Sequence, residues 1–121
     1  MNHRILIVDD EPNIVVSLEY LMKKEGFQIA VATDGESALR LAAEFVPDLV
    51  LLDVMMPKKS GFEVCEALRA DPALPAVKII ILTAKGRETE VAKGLALGAD
   101  AYVTKPFSTK ELVAQIKSML E

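Results

Sequence analysis

Four short apolar runs in this chain each end in residues able to handle a cation or a phosphoryl group. Ile5-Leu6-Ile7-Val8 leads into Asp9 and Asp10, and Leu49-Val50-Leu51-Leu52 leads into Asp53. The run 77–82 leads into Thr83, and Ala101-Tyr102-Val103-Thr104 leads into Lys105. Runs so dense in Val, Leu and Ile read as parallel strands buried on both faces, and such strands bring their C-terminal ends to one sheet edge, where ligands bind. Three carboxylates, a hydroxyl and an amine are therefore expected to converge.

Crowded carboxylates repel and raise one another's pKa unless a cation joins them. A small set of oxygen ligands suits Mg2+, which keeps several waters and binds through one or two carboxylates plus phosphate oxygens. Phosphoryl transfer needs an in-line nucleophile and cations to neutralise the equatorial oxygens. Asp53 is the candidate nucleophile, because carboxylates form aspartyl-phosphate intermediates. Asp9 and Asp10 are candidates for the metal, while Lys105 and Thr83 would take the remaining phosphoryl oxygens. Each residue alone has an ordinary use: a terminal Asp caps a helix, a Thr suits a strand, and a Lys before a Pro sits in a loop. The joint pattern carries the argument.

Strand and helix patterns alternate throughout, the sign of an α/β protein with a doubly wound parallel sheet. After a first strand at 4–8, Pro12 suits the first turn of a helix bearing Ile14, Leu18, Leu21 and Met22 on one face, and Gly26 ends it. Val16 and Tyr20 point away from that stripe and are expected at the surface. The second strand is placed at 28–32, and Thr33 with Glu36 forms a capping box for a helix carrying Ala38, Leu41, Ala42 and Phe45. Pro47 ends that helix. A loop at 54–60, a helix at about 61–70 and a Pro72 to Pro75 connector lead to the fourth strand. The fourth helix, about 88–97, has the weakest pattern, with Val91 and Leu95 as its large apolar residues and Gly94 interrupting it. Gly98 ends it, and after the fifth strand Ser108 and Glu111 form a capping box for a last helix with Leu112, Ile116, Met119 and Leu120.

At 121 residues the chain reads as a single domain, 1–121, able to bury roughly 65% of its unfolded surface. A hydrophobic share of 51% with 26% charged residues excludes a disordered chain. The net charge of −4 argues against direct nucleic-acid binding, which needs a basic surface. The first apolar run is too short for a signal peptide or a membrane span, so no membrane association and a cytoplasmic location are expected. Cys65 is the sole cysteine, so neither a disulfide nor a Cys-based zinc site forms within the chain. It reads as a small buried thiol, and His3 receives no role.

Val8-Asp9-Asp10-Glu11, Asp53-Val54-Met55-Met56-Pro57 with Gly61, Thr83-Ala84, and Gly98-Ala99-Asp100 leading to Tyr102 and Lys105-Pro106-Phe107 resemble the CheY-like receiver domain of two-component response regulators. The resemblance spans essentially the whole chain. It implies a flavodoxin-like sheet of order 2-1-3-4-5 with five helices. It further implies that Asp53 is phosphorylated by a sensor histidine kinase or phosphotransfer protein. Mg2+ would be held by Asp9, Asp10, Asp53 and the backbone carbonyl of Met55. Thr83 and Tyr102 would form a switch pair that alters the face of helix 4, strand 5 and helix 5 towards a downstream effector domain or protein. Met55 and Lys85 match positions that tune phosphoaspartate hydrolysis, and Lys105-Pro106 matches a usual cis peptide. One departure stands out. Relatives with winged-helix DNA-binding domains usually carry Asp and Arg where this chain has Ala101 and Gln115, which favours a stand-alone receiver or a different output.

Two other classes fit parts of the pattern. A Mg2+-dependent aspartyl-phosphate phosphohydrolase of the haloacid-dehalogenase type carries a second Asp two residues after the nucleophile, where this chain has Met55. A flavin or nucleotide binder needs a Gly-rich phosphate loop after the first strand, where Asp10-Glu11-Pro12 would repel phosphate without a metal.

Overall fold

The computed structural model describes residues 3–54, 60–84 and 88–120. Strands and helices alternate as β1 (Arg4–Val8), α1 (Pro12–Lys24), β2 (Gln28–Ala32), α2 (Gly35–Phe45), β3 (Leu49–Asp53), α3 (Gly61–Ala70), β4 (Lys78–Ala84), α4 (Glu88–Ala96), β5 (Ala101–Lys105) and α5 (Thr109–Leu120). All strand pairs are parallel, in the order β2-β1-β3-β4-β5. The flavodoxin-like arrangement implied by the sequence is therefore the one adopted. The order reverses between β1 and β3, and the C-terminal ends of those strands flank the crevice in which open α/β sheets bind ligands.

The central strands bury both faces because alternate residues serve two cores. Ile5, Ile7, Leu49, Leu51, Ile80 and Leu82 pack with Leu18, Met22, Leu112 and Ile116 of α1 and α5. Leu6, Val8, Val50, Leu52 and Ile79 pack with Ala38, Ala42, Val64, Cys65 and Leu68 of α2 and α3. Among the described residues no helix is long and apolar enough to cross a membrane.

Several local expectations need correction. The cap of α2 is Asp34, whose carboxylate accepts the Ser37 N–H at 2.8 Å, not the Thr33–Glu36 pair. A carboxylate one residue later suits the helix N-terminus better than a threonine hydroxyl, since it also meets the positive end of the dipole. The α1 stripe omitted Val15, which is buried with Leu18 and Met22, whereas Ile14 and Leu21 are only half-buried. Ser108 does cap α5, accepting the Glu111 N–H at 3.3 Å. Ser60 caps α3 in the same way through Glu63.

Gly94 does not interrupt α4 so much as seat it. It is buried, and a Cβ there would lie 2.0 Å from Ile81 Cδ1, so with any larger residue the Ile81 terminal methyl has to move for the helix to approach β4 this closely. Arg69 ties the far end of α4 to the rest of the fold. Its guanidinium donates to the Gly98 carbonyl at 2.6 Å, to the Val77 carbonyl and to the Asp100 carboxylate, which also accepts the Ile79 N–H at 2.8 Å. Gly98 has φ +113°, a conformation suited to glycine, and a Cβ there would meet Arg69 Cγ at 2.6 Å.

Candidate functional site

The site forms because four strands stop within a residue or so of one another at the crevice. Asp53 is the last residue of β3 and Lys105 the last of β5, Thr83 is next to last in β4, and Asp9 directly follows β1. Strand alternation then sorts the side chains. Asp9, Asp53 and Lys105 continue the positions that face α1 and α5, whereas Thr83 continues the positions of Ile79 and Ile81 on the opposite face. The register pairs Ile81 with Tyr102 and Thr83 with Thr104, so Tyr102 shares the face of Thr83.

Carboxylate oxygens of Asp9, Asp10 and Asp53 lie within 4.8 Å of one another. Asp9 is fully buried, Asp53 is 5% exposed, and Asp10 lies in solvent. The Lys105 ammonium donates to Asp9 Oδ2 at 2.9 Å and stands 3.6 Å from Asp53 Oδ2. Asp9 Oδ1 accepts the Glu11 N–H at 2.9 Å, which fixes the carboxylate at the entry to α1. Burial works against the Lys105 charge, but the hydrogen bond to Asp9 and the negative fields of Asp53, Asp9 and Glu11 outweigh it, so its pKa lies above the ordinary lysine value. The amine remains a cation at every physiological pH.

On the other face, the Thr83 hydroxyl is 2% exposed at residue level and donates to Glu90 Oε1 of α4 at 3.5 Å, its one partner among the described residues. Tyr102 is 46% exposed. The expected convergence of Asp9, Asp10, Asp53 and Lys105 is what the structure displays, whereas the expected Thr83 hydroxyl is turned to Glu90 on the opposite face because strand alternation sends it there. Met55, Met56, Pro57 and Lys85 lie outside the described residues. The Lys105-Pro106 peptide is cis, as the resemblance implied. Cys65 is buried, and burial pushes its thiol pKa up. Sequence reasoning missed Glu90, for which no motif signals a partner seven residues away, and Arg69, two of whose partners are backbone carbonyls.

The fold and the pocket define a class: an α/β module that gathers carboxylates and a lysine at a sheet switch point. The response regulator receiver domain family matches residues 5–117, and the chain belongs to that family. It is a receiver domain, and that assignment does not favour the phosphohydrolase alternative. It is 48% identical over 120 residues to the alkaline phosphatase synthesis transcriptional regulatory protein PhoP of Bacillus subtilis, covering 99% of this chain and 49% of that protein. The chain spans about half the length of the curated relatives it matches. Its structure is similar to the chemotaxis response regulator CheY4 of Vibrio cholerae, with TM-score 0.92, 28% identity and coverage of 99% and 100% of the two chains. It also resembles the receiver domain of the sensor histidine kinase PA1611 from Pseudomonas aeruginosa, solved with magnesium coordinated in the active-site cleft, with TM-score 0.90, 28% identity and coverage of 99% and 98%.

Proposed function

We propose that Asp53 is the phosphoacceptor of this receiver. The observation that carries the reading is the half-buried ammonium of Lys105, held 2.9 Å from Asp9 and 3.6 Å from Asp53 beside a third carboxylate. An Asp53 oxygen attacks the phosphorus of a phosphohistidine on a sensor kinase or phosphotransfer protein, an O–P bond replaces the P–N bond, and the imidazole leaves. Lys105 neutralises one equatorial oxygen and Thr83 donates to another.

The donor set is all oxygen and suits Mg2+, with Asp10, Asp53, Asp9 and the Met55 carbonyl as the ligands. Both Asp9 oxygens already accept protein hydrogen bonds, so Asp9 is better suited to bind through an intervening water. When bound, the cation shields the incoming phosphoryl charge. Phosphoaspartate is then lost by hydrolysis within the same pocket, and no other substrate is turned over.

Thr83 and Tyr102 act as the switch. The Thr83 hydroxyl moves to the phosphoryl oxygen, the Tyr102 ring turns inward, and the face of α4, β5 and α5 changes towards a downstream effector, either a domain or a separate protein. With a net charge of −4 this domain does not itself contact nucleic acid, and it works in the cytoplasm.

Intact-mass analysis after incubation with acetyl phosphate and Mg2+ is expected to show one added phosphoryl group, absent in Asp53→Asn. Undiminished labelling of Asp53→Asn would overturn the assignment.

A further inference from the structure

We infer that Glu90 is a positioning residue that holds the Thr83 hydroxyl on the α4 side and so opposes activation, an inference that rests on Asp53 being the acceptor. Helix α4 is fastened unevenly. Its second half is fixed by Gly94 against Ile81, by Lys93 Nζ lying 4.6 Å from the Phe62 ring centroid, and by the Arg69 bond to Gly98 just past its end. Near the start of the helix a side-chain tie to the sheet is Thr83 Oγ1–H donating to Glu90 Oε1 at 3.5 Å.

That bond is long for a hydroxyl donor, so it is weak. It is also charge-assisted, and the hydroxyl is sequestered from water, which gives the bond more value than its length suggests. A hydroxyl has one proton to donate. Thr83 therefore cannot serve Glu90 and a phosphoryl oxygen on Asp53 together, and the two acceptors compete for it. When the phosphoryl group wins, the Glu90 carboxylate loses the Thr83 hydroxyl and faces added negative charge on Asp53. Both effects push the first turn of α4 away from the sheet while the Gly94–Arg69 end stays in place. The helix tilts about its fixed end rather than sliding as a whole. Glu90 thus sets the threshold at which phosphoryl binding is read out.

Beryllofluoride with Mg2+, titrated calorimetrically into the whole chain, measures that threshold. Removing the competitor in Glu90→Ala is expected to tighten beryllofluoride binding by about threefold to tenfold, the scale of one modest hydrogen bond. Glu90→Gln, which keeps an uncharged acceptor, is expected to fall between. In a Thr83→Ala background, Glu90→Ala is expected to change nothing, because the hydroxyl under competition is gone. Urea melts of each variant verify folding. Unchanged affinity in Glu90→Ala, or the same tightening in the Thr83→Ala background, would overturn the role of Glu90 and leave the acceptor reading standing. A parent protein that fails to bind beryllofluoride would remove the acceptor reading and the Glu90 role together.

Discussion

Gly94→Ala tests whether close approach of α4 to β4 governs how this helix is held. An added Cβ would sit 2.0 Å from Ile81 Cδ1, about 1.5 Å inside the ordinary carbon–carbon contact distance of roughly 3.5 Å. Ile81 is fully buried, so its side chain has little room to retreat. Overpacking costs about 1–3 kcal/mol. Replacing a helical glycine with alanine returns up to about 1 kcal/mol. The single variant is therefore expected to lose between nothing and about 2 kcal/mol. Ile81→Val alone deletes the offending methyl and is expected to lose about 0.5–1.5 kcal/mol. Combined, the two changes fit: the nearest remaining Ile81 atom, Cγ1, lies 3.5 Å from the new methyl, an ordinary contact. The double variant should then match the parent to within about 1 kcal/mol, with a favourable coupling of about 1–3 kcal/mol between the sites. Urea denaturation followed by circular dichroism, with unchanged m-values, gives all four corners of the cycle. Additive losses, or a Gly94→Ala protein more stable than the parent, would refute the claim that this glycine exists to let α4 approach the sheet.

Lys105 offers a pH test: its pKa is raised on folding, so its pairing contributes fully below about pH 10.4 and is lost as pH rises through the higher folded value. The stability deficit of Lys105→Met is accordingly expected to stay constant from neutral pH to about pH 9 and to shrink only above about pH 10.4, and a deficit that disappears near neutrality would contradict it. Mg2+ at about ten times its dissociation constant should stabilise the parent by about 1.4 kcal/mol in thermal melts, and Asp10→Ala should lose that gain; a parent melt indifferent to Mg2+ would count against the metal site. Val16 and Tyr20 are 64% and 70% exposed on the helix that leaves the site, so a Val16→Lys, Tyr20→Ala double variant should fold and label with acetyl phosphate. Its phosphotransfer from a cognate kinase should fall by about tenfold or more, and unchanged transfer would place kinase recognition elsewhere.

The fold was legible because its two signals are strong. The apolar strands differ sharply from the helices in period, and the charged residues fall where the strands stop. Asp9, Asp10, Asp53 and Lys105 could be grouped from that punctuation alone, and the outward direction of Val16 and Tyr20 followed from helical spacing. The strand order entered through family resemblance, since spacing does not specify which strands are neighbours. Finer features were lost where two local rules overlap. Thr33-x-x-Glu36 and Asp34-x-x-Ser37 are both plausible caps one residue apart, and only the backbone decides between them. Gly94 looked like a break because helix propensity is counted along the chain, while its actual role depends on Ile81 across the gap. Arg69 and Glu90 gave no sequence signal, as their partners are fixed by the packing of three elements.

The alternation that sends Asp53 and Lys105 to one side of the sheet and Thr83 and Tyr102 to the other has a modular consequence. On the proposed roles, the acceptor and its switch pair lie on opposite faces joined at a single edge. On those proposed roles, substitutions along α4 would retarget the reporting surface without redesigning the acidic crevice, and changes around Val16 and Tyr20 would retarget the donor without disturbing the report. A receiver built this way can be rewired one connection at a time.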